Sequence, residues 1–111
     1  MKVKTSELDG AELDYAVAKC EEWEVEFEDG PLYFRGDYFR DGDPCKPSTN
    51  WGQGGPIIER EGIAIYLYGD GEWQAVLEKE YEGPTPLVAA MRCYVASKLG
   101  EEVEVHDALG V

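Results

Sequence analysis

The sequence has no apolar run near the roughly 20 residues a membrane-spanning helix needs, so no span is expected. Its start, MKVKTSELDG, lacks the apolar stretch of a secretory signal, and a cytoplasmic location is expected. Cysteine is scarce: Cys20, Cys45 and Cys93 are odd in number, far apart and form no CxxC pair. That argues against a disulfide framework and against a zinc site, so no metal is assigned. Cys20 and Cys93 fall in helical patterns and read as small core residues, while Cys45 sits in a polar stretch and reads as a free thiol. There is one histidine, His106, next to Asp107. No spacing links that pair to a nucleophile such as Ser48, Ser97 or Cys45, so no triad is assigned. Bases are few, 10 against 24 acids, giving a net charge of −14. The excess of acids is the same in both halves of the chain. Nucleic acid and anionic membrane would be repelled, and a basic protein attracted. Solubility alone is the simpler account of such a balance.

What is present suits one folded domain over 1–111. Apolar residues make up 43% of the 111 residues, with seven Tyr and three Trp. Residues 1–5 read as a short extended start. Asp9-Gly-Ala-Glu12 has the capping-box pattern and opens a helix over about 11–21. Its stripe is Leu13, Ala16, Val17 and Cys20, with Asp14 and Lys19 outside it. The stretch EEWEVEFED alternates, with Trp23, Val25 and Phe27 on one side of a half-buried strand. A turn at 29–31 leads to a second strand from Leu32. Residues 36–47 form a loop in which Tyr38 and Phe39 are expected to pack on the domain. The run 63–68, the turn Gly69-Asp70-Gly71 and the run 72–79 make a hairpin. Its first arm, IAIYLY, is nearly all apolar and is expected to be covered on both faces. Thr85 caps the strongest helix, Pro86 suits its first turn and Gly100 ends it. Leu87, Ala90, Met91, Tyr94 and Val95 form its stripe, broadened by Val88 and Leu99. Residues 101–105 read as an edge strand. The fold class is therefore α+β: a mostly antiparallel sheet of about four strands, from the 22–35 and 63–79 hairpins, with two main helices packed on it.

The stretch STNWGQGGPIIEREG, 48–62, is the unusual one. It has neither GxxxxGK[ST] nor GxGxxG opening a long helix after a strand, which argues against a phosphate loop. Two local readings compete. In the favoured one, Gly52, Gly54 and Gly55 form a loop and Pro56 starts a short helical turn over 57–61. In the other, Thr49 caps a longer helix with Pro56 inside it. Ser48, Thr49, Asn50, Gln53 and the amides of Gly54 and Gly55 surround Trp51 with neutral hydrogen-bonding groups. With Arg60, and with Trp73 and Arg92 from elsewhere, they could hold a small polar or planar ligand. A structural loop with Trp51 filling the core is the alternative.

Glu22, Glu24, Glu26 and Glu28 fall on one face of the first strand, about 7 Å apart. They read as a solvated face, as a surface for a basic partner protein, or as a cation site, the last disfavoured because ligands in line converge poorly. Arg92, inside an apolar helix, reads as an ion-pair partner or as a ligand anchor.

Four stretches together carry a family resemblance: KVKTSELDGAELDYAVAKCE, PSTNWGQGGPIIERE with the following GI, Trp73 and Ala75, and GPTPLVAAMRCYVASKLGEEVEV. They resemble the NinX-like family of small phage proteins, named for the nin region of lambdoid phage genomes. The likeness covers nearly the whole chain and departs at 22–46. It implies a phage or prophage origin, action inside the bacterial cell and accessory status. More loosely, the element order is similar to a phage class described as an α/β/α sandwich. The resemblance implies no activity, cofactor or catalytic residue. The resulting expectation is a non-enzymatic accessory protein that engages or inhibits a host protein. The alternative is a binder of a nucleotide-like signal, and a small enzyme comes third.

Overall fold

Helix α3, Pro86–Leu99, is apolar on nearly every side, and the rest of the chain is arranged to cover it. The computed structural model describes residues 2–27, 31–36 and 39–105. The Thr85 hydroxyl accepts the Val88 amide at 3.1 Å and sets the start of α3. Leu87–Met91 and Cys93–Val95 are all buried, a wider surface than one stripe. Leu99, expected to widen the stripe, is 41% exposed instead.

Two layers sandwich this helix. On one side lies α1, Gly10–Glu21, which buries Leu13, Ala16 and Val17 against it. On the other lies the antiparallel sheet of β4 (Ala64–Tyr68), β5 (Glu72–Val76) and β6 (Glu80–Gly83). Gly83 lets that sheet come close, because a Cβ there would meet the Ala89 amide nitrogen at 2.6 Å. The chain start, β1 (Lys2–Lys4), pairs antiparallel with β7 (Glu102–Glu104). Just after β1, the buried Thr5 donates its hydroxyl to the Gly100 carbonyl at 2.6 Å.

A second hairpin, β2 (Val25–Phe27) and β3 (Leu32–Phe34), forms a sheet of its own. It has a separate small core of Ala18, Leu32, Phe34 and Cys45. Trp23 and Phe39 close it: Phe39 stacks on Phe34 at 4.5 Å and meets Trp23 edge-on at 5.1 Å. The expected packing of Phe39 is what the structure shows. Tyr38, Glu28, His106 and the turn at 29–30 lie outside the described residues.

The class is α+β, as expected, with several corrections in detail. Three α-helices are present among the described residues, and the seven strands divide into three small antiparallel sheets. The two hairpins do not merge, because separate cores draw them apart. The arm expected to run to 79 ends at Val76, and β6 was not anticipated. The apolar arm β4 is not covered on both faces: Leu67 is 57% and Tyr68 54% exposed at the sheet edge. Asp9 caps α1 by position, but its side chain makes no capping bond. Cys45 is buried rather than loop-exposed, and burial followed by the nearby Asp14 charge pushes its thiol up to about 12.

The largest correction is α2, Trp51–Glu61, an eleven-residue helix where a loop and turn were favoured. Pro56 sits inside it and cannot bond the Gly52 carbonyl. A proline ring normally also strikes the Cβ of the residue before it. That residue is Gly55, which has none. Asn50, not Thr49, is the N-cap, and Gly62 ends the helix in the left-handed region at φ 69°.

Two substitutions in α2 should act in opposite directions. Pro56→Ala restores a helix hydrogen bond at an exposed site and should raise stability by about 1–2 kcal/mol. Gly54→Ala puts a Cβ 2.5 Å from the Pro47 carbonyl oxygen and should lower it by about 1–3 kcal/mol despite better helix propensity. Urea unfolding of both variants measures the two signs.

Candidate functional site

The 44–61 stretch is anchored to α1 at two points. The first is Asp14, which is 6% exposed and accepts the Ser48 amide at 2.8 Å. The Ser48 hydroxyl also bonds this carboxyl. Burial is the largest influence on Asp14 and, against the Ser48 bonds, pushes its carboxyl up to about 6. The sequence placed Asp14 outside the buried stripe. It lies off the stripe that packs on α3 and is buried instead under the turn that carries Ser48.

The second anchor is Arg60, at the other end of α2. Its two terminal nitrogens grip Glu21 at 2.9 and 2.6 Å, its Nε reaches Glu61 at 2.8 Å, and Nη2 donates to the Tyr94 hydroxyl at 3.3 Å. The Tyr94 hydroxyl in turn donates to Glu21. Burial raises the Glu21 carboxyl, but the bonds from Arg60 and Tyr94 outweigh it and hold the group below the usual carboxylate range. Burial and the Glu21 bond push the Tyr94 hydroxyl well up.

Between these anchors, most of the residues singled out as ligand-binding have internal roles. Ser48 is 2% exposed. Gln53 stitches the preceding loop, accepting the Lys46 amide at 2.8 Å and donating to the Pro44 carbonyl at 2.9 Å. Gly54 is buried because Pro47 and Leu87 leave no room for a side chain. Thr49 and Trp51 face solvent, Trp51 with 54% exposure, while Asn50 and Gly55 are half-buried beside them. The indole is therefore not a core plug. Trp73 is half-buried and packs against the main core from β5. Arg92 donates to the backbone carbonyls of Leu8 at 2.7 Å and Glu82 at 2.8 Å, not to a carboxylate as expected. It braces the chain start and β6 across α3.

Two sizeable concavities open away from 48–60. One, of about 1000 Å³, is lined by Lys4, Lys79 and Arg92 facing Glu80, Glu82 and Glu101. Glu102 also lines it, so acids exceed bases by one, although Lys79 and Glu101 pair at 2.6 Å. The other, of about 470 Å³, lies between α1 and β2. Tyr15, Trp23 and Val25 line it, and Glu22, Glu24 and Glu26 supply its carboxylates. Lys19 and Arg35 are its cations, and Arg35 pairs with Glu26 at 3.0 Å. Glu22 and Glu24 are exposed and have no ion-pair partner among the described residues. The acidic row is thus not a flat strand face. Glu22 is the left-handed C-cap of α1, at φ 59°, and only Glu26 of the three lies within β2.

The family described as Bacteriophage P22, NinX matches residues 4–98. The chain belongs to that phage family. The match to NinX spans α1, the 44–61 clasp, the three-stranded sheet and nearly all of α3. No curated protein matches the chain. No helix among the described residues is long and apolar enough to cross a membrane.

Asp14 gives a pH prediction with a defined sign. Its folded-state carboxyl, at about 6, lies above the ordinary 3.8, so protonation favours the fold. That contribution is complete below about pH 4 and is lost as pH rises through about 6. Asp14→Asn keeps an acceptor for the Ser48 amide and removes the ionisation. The variant's stability advantage should be small at pH 4, grow between about pH 4 and 6, and level off above that at roughly 3 kcal/mol or less. Thermal melts of both proteins across this range check it; parallel curves would contradict the assignment.

Proposed function

We propose that this phage accessory protein acts inside the bacterial host by holding a basic segment of a host protein in the groove between α1 and β2, without carrying out a reaction. The observation that supports this is the groove's construction. The exposed carboxylates of Glu22 and Glu24 line it together with Trp23 and with Tyr15, over whose ring the chain's own Lys19 lies at 5.9 Å. A Lys or Arg side chain suits both parts: its aliphatic stem would lie along Trp23 and its charged end would meet the acids. The net charge of −14 adds long-range attraction for such a partner. The small-ligand reading has less support, because Ser48, Gln53 and Gly54 are turned inward and leave Trp51 without a recess built from them.

Capture from host lysate tests the groove. Glu24→Lys with Glu26→Lys should lose the captured partner, by about tenfold or more in affinity. Glu59→Lys with Glu72→Lys makes the same change in net charge on exposed sites elsewhere and should retain it. Equal losses from both double variants would assign the attraction to overall charge and remove the groove from the account.

A further inference from the structure

Arg60 and Arg92 are both fixed by hydrogen bonds, but only Arg60 meets carboxylates. Its bonds to Glu21 and Glu61 push its guanidinium well up. Arg92 is half-buried in the middle of α3 and donates to two backbone carbonyls instead, Nε to Leu8 and Nη1 to Glu82. Among the described residues it has no ion-pair partner, and its Nη2 makes no hydrogen bond. Burial accordingly lowers its guanidinium, with the Asp9 charge opposing. A partly buried cation without a countercharge is costly, and the chain has 24 acids from which to supply one. One of them is close. Glu82 gives its backbone carbonyl to Arg92, so its side chain starts beside the guanidinium. The two charges still do not pair. The Glu82 carboxylate accepts the Gln74 side-chain amide at 3.4 Å, and Gln74, 7% exposed, is itself bonded by the Tyr66 hydroxyl. Arg92 and Glu82 both line the concavity of about 1000 Å³. The other charges there have nearer company. Lys79 pairs with Glu101, Lys4 stands opposite Glu102 in the β1–β7 register, and Glu80 accepts the Tyr66 hydroxyl at 3.5 Å.

We propose that this concavity binds a small zwitterion, an α-amino acid or short peptide, whose carboxylate accepts the free N–H groups of Arg92 Nη2 and whose ammonium donates to the Glu82 carboxylate. The site is separate from the acidic groove and does not depend on it. The ligand class follows from the two signs. A purely anionic molecule would meet Arg92 against the neighbouring Glu80 and Glu82 and the net charge of −14. A purely cationic one would leave Arg92 uncompensated. A molecule carrying both charges has no net charge to be repelled, and each end finds a group already held by bonds to the protein. Charge-assisted bonds to such prearranged groups are the strong kind, because little freedom is lost in making them. The volume is ample for a molecule of that size.

NMR titration of the full chain with L-alanine and with trialanine, followed at the backbone amides and the Arg92 Nε–H, tests this. At least one of the two should bind at millimolar concentration and shift the Arg92 signal, and which one binds separates an amino acid from a peptide. N-acetyl-L-alanine keeps only the carboxylate and L-alaninamide only the ammonium, so each should bind at least about tenfold more weakly than alanine, as should the same blocked forms of trialanine. Glu82→Gln changes an exposed side chain, should keep the fold by circular dichroism, and should weaken the zwitterion at least about tenfold. Glu24→Gln, in the acidic groove, should leave it unchanged. No shifts with either zwitterion overturn the proposal. So does a blocked form that binds as tightly as its parent, or binding that Glu82→Gln leaves intact.

Discussion

A buried carboxylate receiving one backbone amide is the constraint on which the arrangement of this molecule turns. Asp14 projects from α1 into the turn that precedes α2 and takes the Ser48 amide. A buried amide without an acceptor costs roughly 1–3 kcal/mol. The turn therefore has to stay on α1, and everything downstream is placed by it. Gln53 ties the same turn to its own helix through Lys46 and Pro44. Gly54 lets α2 lie close to Pro47 and Leu87. The unusual glycines and glutamine of this stretch are thus mostly fastenings.

The second fastening lies two helical turns along α1 from the first. Residues seven apart on a helix share a face, so Asp14 and Glu21 point the same way. Asp14 holds the chain before α2, and Glu21 holds Arg60 near its end. Ordinary surface ion pairs contribute little. This one differs because Glu21 is only 10% exposed, accepts both terminal nitrogens of one guanidinium and also accepts the Tyr94 hydroxyl. It joins α1, α2 and α3 at one point, with Lys98 close to Glu61 at 3.8 Å and over the Tyr94 ring.

The elements set by local chemistry were legible in the sequence. The caps at Thr85 and Gly100, the hairpin turn at 69–71 and the apolar span of α3 all depend on near neighbours, and the structure has each. Periodicity failed where a charged residue faces inward. Asp14 was placed outside the buried stripe, because nothing local announces an amide 34 residues away. Proline misled at α2, because the usual objection to Pro56 is steric and Gly55 removes part of it. The run IAIYLY misled in the other direction. Continuous apolarity normally marks a strand covered on both faces, but here it sits on an exposed sheet edge. Of the candidate ligand residues, the sequence identified the chemical types correctly but could not show which way Ser48 and Gln53 turn.

The distribution of acids follows from these placements. Asp14, Glu21 and Glu61 are engaged inside the fold, as acceptors for an amide, a hydroxyl and a guanidinium. Glu101 balances Lys79 at the rim of the larger concavity. Glu22 and Glu24 have no such engagement among the described residues, and they stand where α1 ends in a left-handed residue and the chain swings into β2. A glycine would adopt that backbone at lower cost. Glutamate there places a carboxylate at the mouth of a groove lined by aromatic rings, at the junction between the main core and the aromatic cluster around Trp23. Trp23 packs in both clusters, so the lining of the groove is held from two sides. Exposed charges beside a fixed lining would lose less freedom on meeting a partner than charges on a loose loop. That separates this groove from the rest of an acidic exterior.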